Sequence, residues 1–138
     1  MSTTKNKREQ KKQLGQFLTP PGVATKILDK INIDADSVVL EPSFGNGSFI
    51  YAYINKLTEK GVDIHSWSKQ HLYGCELDEN MFNEFKRAWK YGNLPDNLFL
   101  GDFFRYKMPS FSRQKYFSSI KGCFDLVIGN PPFGGTID

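Results

Sequence analysis

The absences narrow this sequence first. No apolar run approaches the roughly twenty residues that a membrane-spanning helix needs. The basic N-terminus is not followed by the apolar stretch of a secretory signal. Neither a membrane span nor a membrane partner is therefore expected. Cysteine is scarce: Cys75 and Cys123 are the only two, they lack the close spacing of a metal site, and both adjoin apolar segments. Reduced, buried thiols in a cytoplasmic protein are the expectation, with no metal centre. Internal repeats and low-complexity tracts are missing as well. Excess charge is also nearly absent outside one place. Lys5, Lys7, Arg8, Lys11 and Lys12 against Glu9 put +4 on residues 1–12, so a net charge of +3 leaves −1 for the rest. The body is near neutral and the excess is an arm. Such an arm can track phosphates with salt-sensitive binding, or it can be a solvated tail.

What is present is room for one domain with a real core, in 138 residues that include twelve Phe. Residues 1–13 are polar and aperiodic and read as a disordered basic arm, with a folded unit over residues 14–138. Thr19-Pro20-Pro21 reads as an N-cap followed by proline in a first helical turn. Val23, Ile27, Leu28 and Ile31 then recur at helical spacing, predicting a helix over residues 20–31 with that face buried. Residues 37–41 form a continuous apolar run ending in Glu41, which suits a parallel strand buried on both faces. A helix is predicted over residues 48–60, with Phe49, Ile50, Tyr53, Ile54 and Leu57 as its buried stripe and Gly61 as its C-cap. Residues 62–70 read as a polar connection. A second strand over residues 71–76 ends in Glu76. Asp78 can cap a helix over residues 79–91, striped by Met81, Phe82, Phe85, Ala88 and Trp89. A third strand over residues 97–102 ends in Asp102. Residues 103–121 are irregular and aromatic, long for a connection. A fourth strand over residues 124–129 runs into Asn130-Pro131-Pro132-Phe133. Strands alternating with helices predict an α/β fold, a parallel sheet with helices on both faces.

The chemistry concentrates at strand ends. Between the first strand and its helix lies Pro42-Ser43-Phe44-Gly45-Asn46-Gly47. A strand, a glycine turn and a helix N-terminus present backbone N–H groups to a ligand. Alone, the same residues could make a plain turn. Glu41, Glu76 and Asp102 end three successive strands, where ligands of doubly wound sheets bind. An acid ending the second strand commonly accepts ribose hydroxyls, so the trio favours a nucleoside-like ligand. After the fourth strand, Pro131 and Pro132 cannot donate ladder hydrogen bonds and hold their preceding residues extended. The result is a stiff tip that offers an amide, free carbonyls and an aromatic ring.

With these motifs in order, the chain resembles class I S-adenosylmethionine-dependent methyltransferases acting on exocyclic amines. It is most similar to the N-terminal part of DNA adenine-N6 methyltransferases of restriction-modification systems. The resemblance rests on Leu14-Gly15-Gln16-Phe17-Leu18-Thr19-Pro20, the glycine loop, Gly74-Cys75-Glu76-Leu77-Asp78, Gly101-Asp102-Phe103-Phe104 and Asn130-Pro131-Pro132-Phe133. It implies a three-layer Rossmann-like sheet of strand order 3-2-1-4 and S-adenosyl-L-methionine as cofactor. Phe17, Thr19 and Pro20 should border its methionine end. Glu41, Pro42, Ser43, Phe44, Gly45 and Gly47 should line it from the first strand and loop. Glu76 should hold the ribose, Leu77 should touch the adenine, Asp102 should accept from the adenine amino group, and Phe103 should pack nearby. Asn130 and the Pro131 carbonyl should accept both N–H bonds of the target amine, with Pro132 stiffening the tip. Phe133 should stack on a flipped-out base.

The resemblance also implies limits. The family's later strands and target-recognition region are not in these residues, so the fold is expected as a methyltransferase sheet truncated after its fourth parallel strand. An open strand edge would then invite self-association. DNA contact would fall to the absent region and to the basic arm. Arg105, Lys107, Arg113 and Lys115, interleaved with Tyr106, Phe111, Tyr116 and Phe117, are a second candidate patch. Two alternatives stay open: a cofactor-binding or interaction fragment without catalysis, and a methyltransferase for glutamine side chains or RNA.

Overall fold

The computed structural model describes residues 18–103 and 124–130. The expectations for the basic arm, Phe17, the basic-aromatic patch, Cys123, Pro131, Pro132 and Phe133 lie outside them. The elements follow as α1 (Pro21–Leu28), β1 (Val39–Glu41), α2 (Ser48–Glu59), α3 (Ile64–His71), β2 (Leu72–Glu76), α4 (Glu79–Ala88), β3 (Leu98–Leu100) and β4 (Leu126–Val127). All four strands are parallel and lie in the order β3-β2-β1-β4, as expected. Val39 pairs with Leu72 on one side and with Leu126 on the other, so β1 is central and buried along its length. The strand order reverses at β1, which makes the β1–β4 junction the switch point. β4 pairs only with β1 among the described residues, leaving an open edge where Val127 is 60% exposed. No helix of the described residues is long and apolar enough to cross a membrane.

Pleating divides the core. Val39, Leu72 and Leu98 join the main cluster with the helices, whereas Cys75 and Phe99 form a second cluster with Tyr73 and Phe103. The main cluster is built on α2, whose Phe49, Ile50, Tyr53, Ile54 and Leu57 are all buried, as its periodicity predicts. Fully burying a side chain of this kind contributes about 1.5–3 kcal/mol. The helix closes where Gly61 N–H donates to the Thr58 carbonyl and Val62 N–H to the Leu57 carbonyl.

Three expectations fail. The face of α1 that docks is Ala24 and Leu28, whereas Val23, Ile27 and Ile31 are exposed. A short helix touching α2 through a small residue needs only a narrow contact. Apolar spacing could not tell which stripe would meet it. Thr19 does not cap α1. Pro20 occupies the cap position with no side-chain bond, and the Thr19 hydroxyl stands one residue too early. Residues 62–70 are not merely a connection, because α3 forms there, capped by Asp63, which accepts from His65 N–H. Its polar composition hid it, since only Ile64 and Trp67 are large apolar anchors. Trp67 stacks on Tyr53 at a centroid distance of 5.5 Å and 14° between planes. The element ends also shorten: α4 stops at Ala88, which is exposed, and β3 and β4 keep only the central residues of their predicted runs.

Candidate functional site

The site is assembled at the carboxyl ends of β1, β2 and β4. The loop after β1 is held from three sides. Phe44 N–H donates to the Cys75 carbonyl (3.2 Å), and the Phe44 ring packs on Phe85 with centroids 4.6 Å apart. Gly47 N–H closes a turn on the Phe44 carbonyl (2.8 Å). Asn46 Oδ1 accepts from both the backbone N–H and the hydroxyl of Ser48, steadying the first turn of α2. Gly47 adopts a φ of 84° at the N-cap of α2, and a Cβ there would collide with the Phe85 ring. Gly47→Ala combines left-handed strain with overpacking, so it should cost about 2 kcal/mol or more in a urea unfolding experiment.

Two acids lie behind and within this loop. Glu76 is 2% exposed; its Oε1 accepts from Gly45 N–H (2.7 Å) and its Oε2 from Asp78 N–H (2.8 Å). It thus clasps the glycine loop to the β2–α4 turn, while Asp78 caps α4 by accepting from Met81 N–H. Glu41 is equally buried and accepts from Ser43 N–H (2.9 Å). No cation pairs with Glu41 among the described residues. Burial pushes its carboxyl up from 4.5 to about 8, with the Ser43 N–H opposing and the Glu76 charge adding to the rise. Burial raises Glu76 as well, against its backbone hydrogen bonds. Burial first, then the charges of Glu76, Glu41 and Asp102, push the Cys75 thiol up to about 12. Cys75, which donates to the Pro42 carbonyl, is therefore a packed thiol and no nucleophile at neutral pH.

A solvent-open cleft lies between these elements. Its walls bring together Thr19, Glu41, Ser43, Phe44, Gly45 and Asn130, six residues singled out from sequence. Leu18, Asn46, Ser48 and Phe49 complete it, and the sequence reading had not marked them as site residues. The sequence signals for them are position for three, with Leu18 inside the first motif and Asn46 and Ser48 flanking Gly47, and the helical stripe for Phe49. Pro20, Pro42, Gly47, Glu76, Leu77, Asp102 and Phe103 are not on this wall. Leu77 is 57% exposed, and Phe103 packs against the Cys75–Phe99 cluster. The hydroxyl of Ser43 is buried with no hydrogen-bond partner among the described residues. A buried acid with no paired cation among the described residues, beside an unsatisfied hydroxyl, suits a ligand that carries positive charge and hydrogen-bonding groups. No cluster of metal-ligating side chains occurs among the described residues.

A family model described as N-6 DNA Methylase matches residues 3–137. The Type I restriction enzyme MjaIX methylase subunit of Methanocaldococcus jannaschii is 26% identical over 122 residues, covering 88% of this chain and 19% of that protein. The chain thus spans about a fifth of the length of this curated relative. Two solved structures share the fold. One is the ATP-dependent Type ISP restriction-modification enzyme LlaBIII bound to DNA (18% identity, TM-score 0.58, 84% of this chain and 10% of that one). The other is a DrdV–DNA complex (19% identity, TM-score 0.60, 89% and 14%).

Proposed function

Because this chain belongs to the N-6 DNA Methylase family, we propose that it holds S-adenosyl-L-methionine at the carboxyl ends of β1 and β2 and takes part in methyl transfer to the exocyclic amine of adenine in DNA. The observation that carries this reading is the meeting of Glu41 and Asn130 on one cleft, from neighbouring strands at the switch point. A cytoplasmic location belongs to the same proposal.

The residues fit the cofactor. Glu41 meets the positive charge of its methionine end, and the Ser43 hydroxyl gains the partner it lacks. Thr19, Pro20 and, beyond the described residues, Phe17 border that end. Gly45 and Gly47 let the loop backbone approach, with Pro42 and Phe44 supporting it. Glu76 accepts ribose hydroxyls beside the backbone N–H groups it already holds, those of Gly45 and Asp78 among them. Exposed Leu77 faces the adenine, Asp102 accepts from its amino group, and Phe103 packs beside it. When bound, the cofactor supplies an electrophilic sulfonium methyl.

The protein's own work is on the acceptor. An exocyclic amine is a poor nucleophile because its lone pair is delocalised into the ring. The Asn130 side-chain oxygen and the Pro131 carbonyl accept its two N–H bonds, which lets the nitrogen pyramidalise. The nitrogen would lose its proton to solvent only after it has taken the methyl group, so positioning and oriented dipoles replace a strong base. Pro132 stiffens this tip and Phe133 stacks on the base, which has left the duplex. The N-terminal basic arm adds phosphate contacts. The family description and the relative's name support DNA over glutamine or RNA as the acceptor.

Titration with S-adenosyl-L-methionine should give saturable binding that Glu41→Ala weakens by about tenfold or more. Tritium from the labelled methyl group should appear in the adenines of DNA. Wild-type protein that binds no cofactor would sink the proposal. Binding without transfer would select the second reading, a donor-holding segment.

A further inference from the structure

Glu41 is flanked by a glycine on each side, one against its backbone and one against its buried carboxyl. Glu41 pairs with Gly74 of β2, where a Cβ would lie 2.7 Å from the Glu41 carbonyl oxygen. On the other side, past the end of β4, stands Gly129. A Cβ there would collide with Glu41 Oε1 and lie 3.0 and 3.1 Å from Cδ and Oε2. All three outer atoms of the carboxyl therefore rest against one residue. The backbone of Gly129 is not in the left-handed region, so the need for glycine here is steric. The next residue is Asn130, on the same cleft as Glu41.

We propose that Gly129 is a positioning residue: the space left by its missing side chain seats the Glu41 carboxyl, and so holds the donor-side acid in register with Asn130. This rests on the function proposed above for the cleft. Ser43 N–H fixes the carboxyl from the loop side while Gly129 receives it from the β4 side. Among the described residues, the titratable groups facing it are Glu76 and Cys75, both from β2. From β4, Asp125 is occupied at the opposite end of the strand, where it accepts from Val38 N–H. A methyl group at Gly129 has one soft neighbour to displace, the carboxyl itself. The acid would swing away from Ser43 and toward solvent.

The test is a two-by-two set in the full chain: wild type, Gly129→Ala, Glu41→Asp and the double variant. Asp is shorter by one methylene and withdraws the carboxyl from the added methyl. Gly129→Ala should weaken S-adenosyl-L-methionine binding by about tenfold or more. Adding Glu41→Asp should restore at least part of that loss, although Glu41→Asp alone weakens binding. Losses that simply multiply, or wild-type affinity in Gly129→Ala, would overturn the proposal. If Gly129→Ala alone does not fold, recovery of a folded chain in the double variant supports the seat, and failure to recover it refutes it. A second readout needs no ligand. With its carboxyl displaced toward water, Gly129→Ala should lose much of the pH dependence of the thermal midpoint between 4.5 and about 8. An unchanged slope would overturn the seat even if the cofactor binds. A wild-type chain that binds no cofactor but shows the slope change would sink the cofactor reading and leave the seat standing.

Discussion

The thermal midpoint of the ligand-free protein should fall as pH is raised from 4.5 to about 8, the opposite of the usual acid destabilisation. The folded protein holds a proton on Glu41 that the unfolded chain gives up near its ordinary value of 4.5. Between the two values the native state binds more protons, so each rise in pH favours unfolding. Below 4.5 both states are protonated, and above about 8 both are ionised, so the slope is confined to that window. The full effect is on the order of 5 kcal/mol, comparable to the whole stability of a small domain. Glu76 is shifted in the same direction and adds to it. Glu41→Gln keeps an oxygen for the Ser43 N–H and removes the titration. It should leave the midpoint nearly unchanged at the acid end, raise it at the alkaline end and flatten the curve. A wild-type midpoint indifferent to pH across the window, or a Gln variant with the same slope, would contradict the burial argument. A cationic ligand reverses the preference. S-adenosyl-L-methionine should bind more tightly as pH rises toward 8 and should release a proton on binding at neutral pH.

The second large effect is expected at the tip. Asn130→Ala removes one of the two acceptors proposed to hold the target amine. Methyl transfer to DNA should fall by about 10²–10³-fold or more, the scale seen when one oriented polar group is taken from a transition-state site. Cofactor affinity should change little, because the acid and the loop that hold the donor are untouched. Asn130→Asp keeps an acceptor oxygen and should retain part of the rate. Single-turnover transfer from tritiated cofactor, measured beside calorimetric affinity, separates the two quantities. An equal loss of affinity and rate would place Asn130 on the donor side and refute the assignment.

Much of this architecture was legible in the chain because it is written in short-range periodicity. The apolar run at Val38-Val39-Leu40, the helical stripe from Phe49 to Leu57 and the cap at Asp78 each need only a few neighbouring residues to act. Glu41 and Glu76 end their strands as expected, Asp102 lies two residues past the end of β3, and the strand order implied by the resemblance brings β1 beside β4. Residues 62–70 were illegible because two anchors, Ile64 and Trp67, do not make a stripe. The exposed face of α1 was misread because spacing marks two stripes, Ala24 with Leu28 and Val23 with Ile27, and only docking on α2 chooses between them.

The sequence alone was thus enough for the α/β alternation, the parallel sheet and the acids that end β1 and β2. It could not say how those residues meet. That Glu76 clasps Gly45, and that Gly129 lies against the carboxyl of Glu41, are contacts between segments far apart along the chain. No local propensity encodes them. They arise when the sheet closes and takes water away, and that loss of water holds on Glu41 the proton that a cationic ligand would displace.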